Sequence, residues 1–127
     1  MKKIICIGNR FAYPDNFGML IYEELLKRDL EGIEVIEGGV GGDSLVLHFE
    51  DDAKILIIDY ATEDMPKIMT PQDVRSLHIS EYNHANAFLY FLMTLEKEYK
   101  LYLCHDLFDL NSLDFYIEDI LQTVMDL

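Results

Sequence analysis

The segment Lys54–Asp59 (KILIID) constrains the fold more than any other stretch of the chain. Its four consecutive apolar residues predict a strand that is buried on both faces, as in the middle of a parallel sheet covered by helices. The strand ends on a carboxylate, Asp59. An aspartate there is either a turn former or cap, or a binding residue, because α/β sheets bind ligands at the carboxyl ends of their strands. The segment alone leaves both interpretations open.

The start of the chain has the pattern of a strand, a loop and a helix. The apolar run Ile4–Ile7 leads into the loop Gly8–Gly18, and an amphipathic stretch over residues 17–28 follows. Asp15 or Asn16 can cap this helix by accepting hydrogen bonds from its free N–H groups. The alternative is that Asp15 is a metal ligand at the open end of the sheet, and the loop by itself does not distinguish the two.

The rest of the chain alternates between strand-like and helix-like patterns. Strands are predicted at residues 32–37, 68–69 and 101–104, and helices at residues 43–49, 83–97 and 113–127. The polar stretch from Tyr60 to Tyr82 is predicted to be mostly a long loop. This order predicts an α/β protein with a single domain over residues 1–127. We expect a three-layer sandwich, in which a mostly parallel, twisted sheet of about five strands has helices on both faces.

A glycine-rich turn follows the second predicted strand. Residues 38–42 hold four glycines in five positions, which predicts a positive φ angle or the close approach of another backbone or a ligand. The turn is not a P-loop, because no Lys-Ser/Thr pair follows it, and its spacing does not match a dinucleotide fingerprint. One hypothesis is therefore an α/β protein that binds a small ligand with this turn.

Three residues distant in the sequence are expected at one edge of the sheet. If the first strand lies beside the strand that ends at Asp59, the strand order reverses between them and a crevice opens at their carboxyl ends. Asp15 and His84, the latter in the first turn of a predicted helix, would reach the same edge. Two carboxylates and an imidazole suit a first-row divalent metal, zinc and nickel among them, and leave positions for water or substrate. The other histidines are further candidates, each also readable as an ordinary polar residue: His48, His78 and His105.

The charge of the chain narrows the choice of partners. It has 24 acidic and 10 basic residues and a formal charge of −14, so it repels nucleic acid and anionic membrane surfaces and suits a partner with a basic segment. The apolar run behind the first residues is too short for a secretory signal or a membrane helix, which predicts a cytoplasmic protein. Cys6 and Cys104 lie far apart inside apolar runs and are predicted to be reduced core thiols rather than a disulfide or metal pair.

Several short segments, taken in order, resemble the hydrogenase maturation proteases, the cytoplasmic endopeptidases that trim the C-terminus of nickel-iron hydrogenase large subunits. The resemblance runs from about Ile4 to Leu95. It is carried by Ile7-Gly8-Asn9, by Asp15 and Gly18, by Glu37-Gly38-Gly39, by Ile57-Ile58-Asp59-Tyr60-Ala61 and by His84.

This resemblance implies a twisted sheet between helices and a peptidase with Asp15, Asp59 and His84 as metal ligands. It implies no nucleophile, so a water near the metal would carry out hydrolysis, and no catalytic residue is assigned. The implied partner is a hydrogenase large-subunit precursor that brings its own nickel, for which other divalent metals can substitute. Substrate binding is expected at Asn9, Gly38 and Gly39.

The chain also departs from the pattern of that family. The family's loop usually ends in an acidic pair, whereas here Pro14 takes the first place and only Asp15 remains. Ile7 stands where a glycine is usual, Arg10 replaces a small or apolar residue, and the C-terminal region is short. These departures favour a second hypothesis, a non-catalytic protein on the same fold that holds a metal or a precursor tail.

Overall fold

The structure, a computed structural model, describes residues 1–8, 11, 16–40, 43–61, 67–76, 88, 91–104 and 110–127. Its strands are β1 (Lys2–Ile7), β2 (Ile33–Gly39), β3 (Lys54–Tyr60), β4 (Ile68–Met69) and β5 (Lys100–Cys104). They form one sheet in the order β2-β1-β3-β5-β4. All neighbours are parallel except β4, which runs antiparallel to β5. The predicted mostly parallel sheet of five strands is confirmed.

The helices of the described residues are α1 (Phe17–Leu26), a 3-10 helix (Asp43–Phe49), α2 (Pro71–Arg75), residues 91–94 and α3 (Leu110–Met125). The helix predicted to begin at residue 113 thus begins three residues earlier. None of the helices in these ranges is long and apolar enough to cross a membrane.

The prediction of one long loop between Tyr60 and Tyr82 is wrong in part, because α2 lies within it. A reciprocal capping box starts this helix: the Asp73 N–H donates to Thr70 Oγ1 at 3.2 Å, and the Thr70 N–H donates to the Asp73 carboxylate at 2.9 Å. Pro71 occupies the first helical position, where its missing N–H costs nothing. Pro71 therefore begins a helix instead of interrupting a loop.

The start of α1 also differs from expectation. Asn16 occupies the N-cap position, but its backbone is already helical and its side chain makes no capping hydrogen bond. The other predicted cap, Asp15, lies outside the described residues. The helix is anchored by its packing against the sheet, with Phe17, Met19 and Ile21 buried.

Alternation along the strands gives the sheet two apolar faces, because successive side chains point to opposite sides. Helices α1 and α3 cover one face, whose strand residues are Ile4, Cys6, Leu56, Ile58, Tyr102 and Cys104. The 3-10 helix, α2 and residues 91–94 cover the other, whose strand residues are Ile5, Ile7, Ile36, Ile55, Ile57, Met69, Leu101 and Leu103. The predicted three-layer arrangement is therefore confirmed. The amphipathic pattern of residues 113–127 predicts Phe115 among the apolar positions of this helix, but Phe115 is 61% exposed.

The two cysteines lie in the core on the α1–α3 face of the sheet. Both are free thiols and both are fully buried. Burial raises the pKa of the Cys6 thiol to about 12 and raises the pKa of Cys104 as well. The prediction of reduced core thiols is confirmed, and neither thiol is ionised at neutral pH.

Candidate functional site

The order of the strands reverses between β1 and β3. From β1 the chain passes through α1 to β2 on one side, and it later returns to β3 on the other side of β1. In open α/β sheets a crevice lies at the carboxyl ends of the strands at such a point. The first and third strands do pair, which is the condition for the expected crevice, and the carboxyl edge of β1 and β3 is the candidate site.

Asp59 lies at this edge, one residue before the end of β3. It stands opposite Leu103 of β5 and is half-buried. The backbone N–H of Tyr60 donates to Asp59 Oδ1 at 2.8 Å, which orients the carboxylate at the end of the strand. A half-buried, oriented carboxylate at the mouth of a crevice fits the requirements of a metal ligand, since divalent metals take carboxylate oxygens.

The other residues of the predicted ligand set lie outside the described residues. Asp15 and Asn9 fall in the gaps after Gly8, and His84 falls before residue 88. In the described ranges no group of three or more metal-binding side chains occurs. The triad of Asp15, Asp59 and His84 is therefore still a prediction.

Of the further histidine candidates, the structure places His48 far from this edge. It lies in the last turn of the 3-10 helix, and its carbonyl accepts a hydrogen bond from Lys3 Nζ at 3.0 Å. Lys3 is at the start of β1, so His48 lies toward the amino edge of the sheet. His78 and His105 are outside the described residues.

The first two glycines of the predicted turn, Gly38 and Gly39, are the last residues of β2 and lie at the candidate site, whereas residues 41 and 42 are outside the described residues. The register between β1 and β2 shifts there, from Cys6 opposite Glu37 to Ile7 opposite Gly39, which leaves Gly38 as a bulge residue. Gly39 has a φ of 59°, and its carbonyl accepts from the Gly8 N–H at 2.7 Å. The expected positive φ angle is confirmed, whereas the expected substrate binding stays a prediction.

Close packing explains why Gly38 carries no side chain. A Cβ at this position would lie 2.6 Å from Ile7 Cδ1 and 2.8 Å from Ile5 Cγ2. Bulges are frequent beside functional sites, where they redirect the backbone. Here the bulge brings the backbone of Gly38 and Gly39 close to the end of β1.

Gly18 has a structural role that sequence reasoning missed by treating it as the end of the loop. It lies in the first turn of α1, where a Cβ would overlap the carbonyl oxygen of Ile7 and lie 2.8 Å from its carbonyl carbon. Only a glycine lets α1 approach the end of β1 this closely. The signal in the sequence was a glycine in the first turn of an otherwise amphipathic helix.

A second group of polar residues, also missed, joins β5 to α3. The Tyr102 hydroxyl donates to Asp119 Oδ2 at 2.5 Å, and Lys67 forms an ion pair with the same carboxylate. Lys67 Nζ also lies 5.5 Å from the ring centroids of Tyr102 and Phe115. Tyrosine in a strand and aspartate in an amphipathic helix carry no sequence signal for such a pairing.

Contacts within this group shift the pKa values of Asp119 and Tyr102 in opposite directions. Burial alone would raise the pKa of Asp119, but the hydrogen bonds from Lys67 and Tyr102 outweigh it and hold that pKa below its ordinary range. Burial, with the hydrogen bond to Asp119, raises the pKa of the Tyr102 phenol far above its usual value. The tyrosine is therefore a permanent donor and the aspartate a permanent acceptor at neutral pH, which suits a structural clamp.

Lysines at the amino edge hold the ends of two helices. Lys2 Nζ donates to the carbonyls of Val124 at 2.8 Å and Met125 at 3.2 Å, at the end of α3. Lys3 and Lys97 donate to the last carbonyls of the 3-10 helix, the latter to Phe49 at 2.6 Å. Cations at helix C-termini satisfy free carbonyls and oppose the helix dipole.

A cavity of about 540 Å³ lies between the starts of β3 and β5, at the same amino edge. Its charged lining is balanced, with three lysines and three carboxylates: Lys54, Lys97, Lys100, Asp52, Glu96 and Glu98. The cavity is at the opposite end of the strands from Asp59, so its size does not bear on the chemistry of the carboxyl edge.

No protein-family model matches the chain, and no curated protein matches it. Several solved structures, however, are similar to this chain. The hydrogenase maturating endopeptidase HybD from E. coli superposes with a TM-score of 0.69 at 18% identity, over 99% of this chain and 93% of that one.

Two archaeal structures from Thermococcus kodakarensis show the same similarity. The [NiFe] hydrogenase maturation protease HybD has a TM-score of 0.66 at 17% identity, over 98% of this chain and 99% of that one. The [NiFe] hydrogenase maturation protease HycI has a TM-score of 0.64 at 17% identity, over 97% and 91%. This chain therefore has the fold of the hydrogenase maturation endopeptidases along nearly its whole length, and the resemblance read from the sequence is confirmed at that level.

Proposed function

We propose that this protein is a cytoplasmic processing endopeptidase that removes a C-terminal extension from a nickel-loaded hydrogenase large-subunit precursor. The observation that carries the proposal is the match to maturation endopeptidases over at least 97% of this chain. The match also covers at least 91% of each of those structures, which supports transfer of the activity with the fold.

The position of Asp59 supports the same proposal independently. Its carboxylate lies at the carboxyl edge of the sheet where the strand order reverses, the usual place for ligand binding in α/β proteins. We propose Asp15, Asp59 and His84 as the residues that hold the metal. A metal bound there would polarise the scissile carbonyl or activate a water.

The chain's own contribution is to position the substrate. The half-buried Asp59 is oriented by the Tyr60 N–H, so it offers its carboxylate in a fixed direction. The backbone of Gly38 and Gly39 lies beside the end of β1, where Gly38 packs closely against Ile5 and Ile7. Together with Asn9, these glycines are the proposed contacts of the extended precursor chain, and the nickel carried by the precursor is the proposed recognition element.

The test is incubation of the purified protein with a nickel-loaded hydrogenase large-subunit precursor from the same genome, followed by intact mass measurement. The proposal expects a shorter large subunit whose mass has lost a C-terminal peptide. The Asp59→Asn variant should leave the precursor intact. Asp114→Asn, which changes an exposed aspartate on α3, is the matched control and should cleave like the wild type. An unchanged precursor mass with the wild type would overturn the proposal.

A second candidate is a protein that binds the precursor or a metal without cutting. Pro14, which takes the place of one member of the family's acidic pair, favours it. The two candidates differ in the same experiment: co-elution of the protein with an uncut precursor on gel filtration supports binding alone, and a cut precursor excludes it.

A further inference from the structure

The outer side of β2 is an edge of the sheet formed by the described residues. The Lys2 N–H donates to the Gly32 carbonyl at 3.0 Å, and Lys2 stands opposite Ile33. Along a strand in a parallel ladder, the backbone N–H and C=O of one residue bond to the strand on one side, and those of the next residue point to the other side. Gly32 bonds to β1, so the alternation starts from it. Ile33 and Val35 therefore direct their backbone N–H and C=O groups outward, where an added strand would meet them.

The two edges of the sheet differ in how they are protected against strand addition. The edge strand β4 has only two residues, and Pro71 follows it closely. Short length and proline are common protections of sheet edges. By contrast, β2 has seven residues with neither proline nor lysine, and its register shift comes only at its carboxyl end. Within the described part of the chain, β2 therefore has neither of these two protections.

The charge along β2 indicates which kind of strand would fit. The exposed charged residues of β2 and the turn before it are all acidic between positions 31 and 39: Glu31, Glu34 and Glu37. Opposite charges on neighbouring strands stabilise their pairing, and like charges oppose it. A segment with basic side chains therefore suits this edge, whereas a second copy of β2 would bring acidic residues together.

The carboxyl end of β2 leads toward the candidate site. Asp59 is on β3, two strands from β2, and a strand added outside β2 would be three strand spacings away, or ~14 Å. An extended chain covers that distance in about four residues. The path crosses the backbone of Gly39 and Gly8, which are hydrogen-bonded to each other.

Resting on the proposed function, we infer that β2 is the docking edge for an extended, basic segment of the precursor that runs along β2 as far as Gly39, and that about four residues separate this end of the segment from the cleaved bond. The docked segment pairs with the outward backbone groups of Ile33 and Val35, and its cations lie near Glu34. Backbone pairing of this kind gives affinity, and the side chains give selectivity.

The first test uses a fluorescein-labelled synthetic peptide of alternating lysine and valine, long enough to pair with all of β2, and measures fluorescence anisotropy. Val35→Pro removes an outward N–H without removing a hydrogen bond to β1. It is expected to weaken binding by about tenfold or more, since it removes pairing at the centre of the edge. Val35→Ala is the matched control, because it loses the side chain but keeps the N–H, and should change affinity by less than about threefold. Equal affinities in the two variants would overturn the inference.

The second test does not depend on how the proline variant folds. Glu34→Lys reverses an exposed charge on β2. The wild type should bind the lysine-valine peptide more tightly than a glutamate-valine peptide of the same length, and the variant should show the opposite preference. Glu98→Lys, an exposed charge reversal near β5, should leave the wild-type preference unchanged. Hydrogen exchange of the Ile33 and Val35 amides should slow in the complex. Unchanged exchange at both amides, or slowing through dimerisation of the protein alone, would overturn the inference.

The outcomes separate the docking edge from the peptidase activity. A precursor cut equally well by Val35→Pro and Val35→Ala would overturn the docking edge and leave the peptidase proposal standing. A wild-type protein that binds the lysine-valine peptide at β2 but leaves the precursor mass unchanged would support the docking edge and overturn the peptidase proposal.

Discussion

The two ends of the strands, which form the amino edge and the carboxyl edge of the sheet, are built in different ways. At the amino edge, Lys2, Lys3 and Lys97 close the ends of the 3-10 helix and α3 with hydrogen bonds to helix carbonyls. At the carboxyl edge, backbone packs against backbone through Gly18 and Gly39, and a half-buried carboxylate, Asp59, stands at the end of the central strand. Lysine side chains thus fasten one edge, whereas close backbone packing and a half-buried carboxylate mark the other. We therefore expect Lys3 to act on stability alone and Asp59 on activity alone.

The largest effect is expected from Gly18→Ala, which should lower the free energy of unfolding by about 3 kcal/mol or more. The added Cβ would overlap the Ile7 carbonyl, which is backbone and cannot rotate away. Urea denaturation measures the change. Gly32→Ala is the matched control: its φ is 73° and its Cβ would meet nothing within 4 Å, so only backbone strain of about 1 kcal/mol is expected. Equal losses in the two variants would contradict close packing as the role of Gly18.

At the amino edge, Lys3→Ala is expected to cost about 2–4 kcal/mol, from loss of a buried aliphatic stem and of the bond to His48. The Lys3 side chain is only 6% exposed. Lys54→Ala removes a lysine whose bond to the Leu127 carbonyl is exposed, and should cost less than about 0.5 kcal/mol. Thermal denaturation compares them. A Tm for Lys3→Ala within error of that for Lys54→Ala would show that burial of Lys3 adds nothing.

A smaller effect concerns acid. Because the pKa of Asp119 is lowered in the folded protein, its ion pair stabilises the fold above the ordinary pKa of a carboxyl and ceases to do so as the pH falls through the lowered value. Asp119→Asn should therefore be less stable than the wild type at neutral pH, and the difference should shrink between about pH 5 and pH 3. Tm measured across this range tests it, with Asp114→Asn as the control. A constant difference at every pH would contradict the pKa shift.

The strands and their burial can be predicted from the sequence. The apolar run Lys54–Asp59 predicts a buried central strand, and Leu56, Ile57 and Ile58 are indeed fully buried. Hydrophobic runs of this kind report burial directly, so the sheet and its layers follow from them. The glycine turn of β2 was likewise visible, because a positive φ leaves few choices of residue.

Long-range polar contacts were not visible in the same way. Lys3 is separated by 45 residues from its partner His48, and Tyr102 by 17 from Asp119. No local period marks such pairs, since each partner also fits an ordinary surface or strand position. The capping box of α2 is readable in Thr70 and Asp73, but the polar stretch around it favours a loop. At the candidate site, Asp59 was predicted in place, while the roles of Asp15 and His84 are still predictions.

The central claim is that Asp59, at the carboxyl edge, is needed for activity but not for stability, whereas Lys3, at the amino edge, is needed for stability but not for activity. The most direct test measures Tm and precursor cleavage together for Asp59→Asn and Lys3→Ala. Asparagine keeps an oxygen that can accept from the Tyr60 N–H, so Asp59→Asn should leave the Tm nearly unchanged while cleavage of the nickel-loaded precursor disappears. Lys3→Ala should lower the Tm and still cleave at temperatures where it is folded. Full cleavage by Asp59→Asn would contradict the account. So would a Tm of Asp59→Asn low enough for unfolding to explain its loss of cleavage.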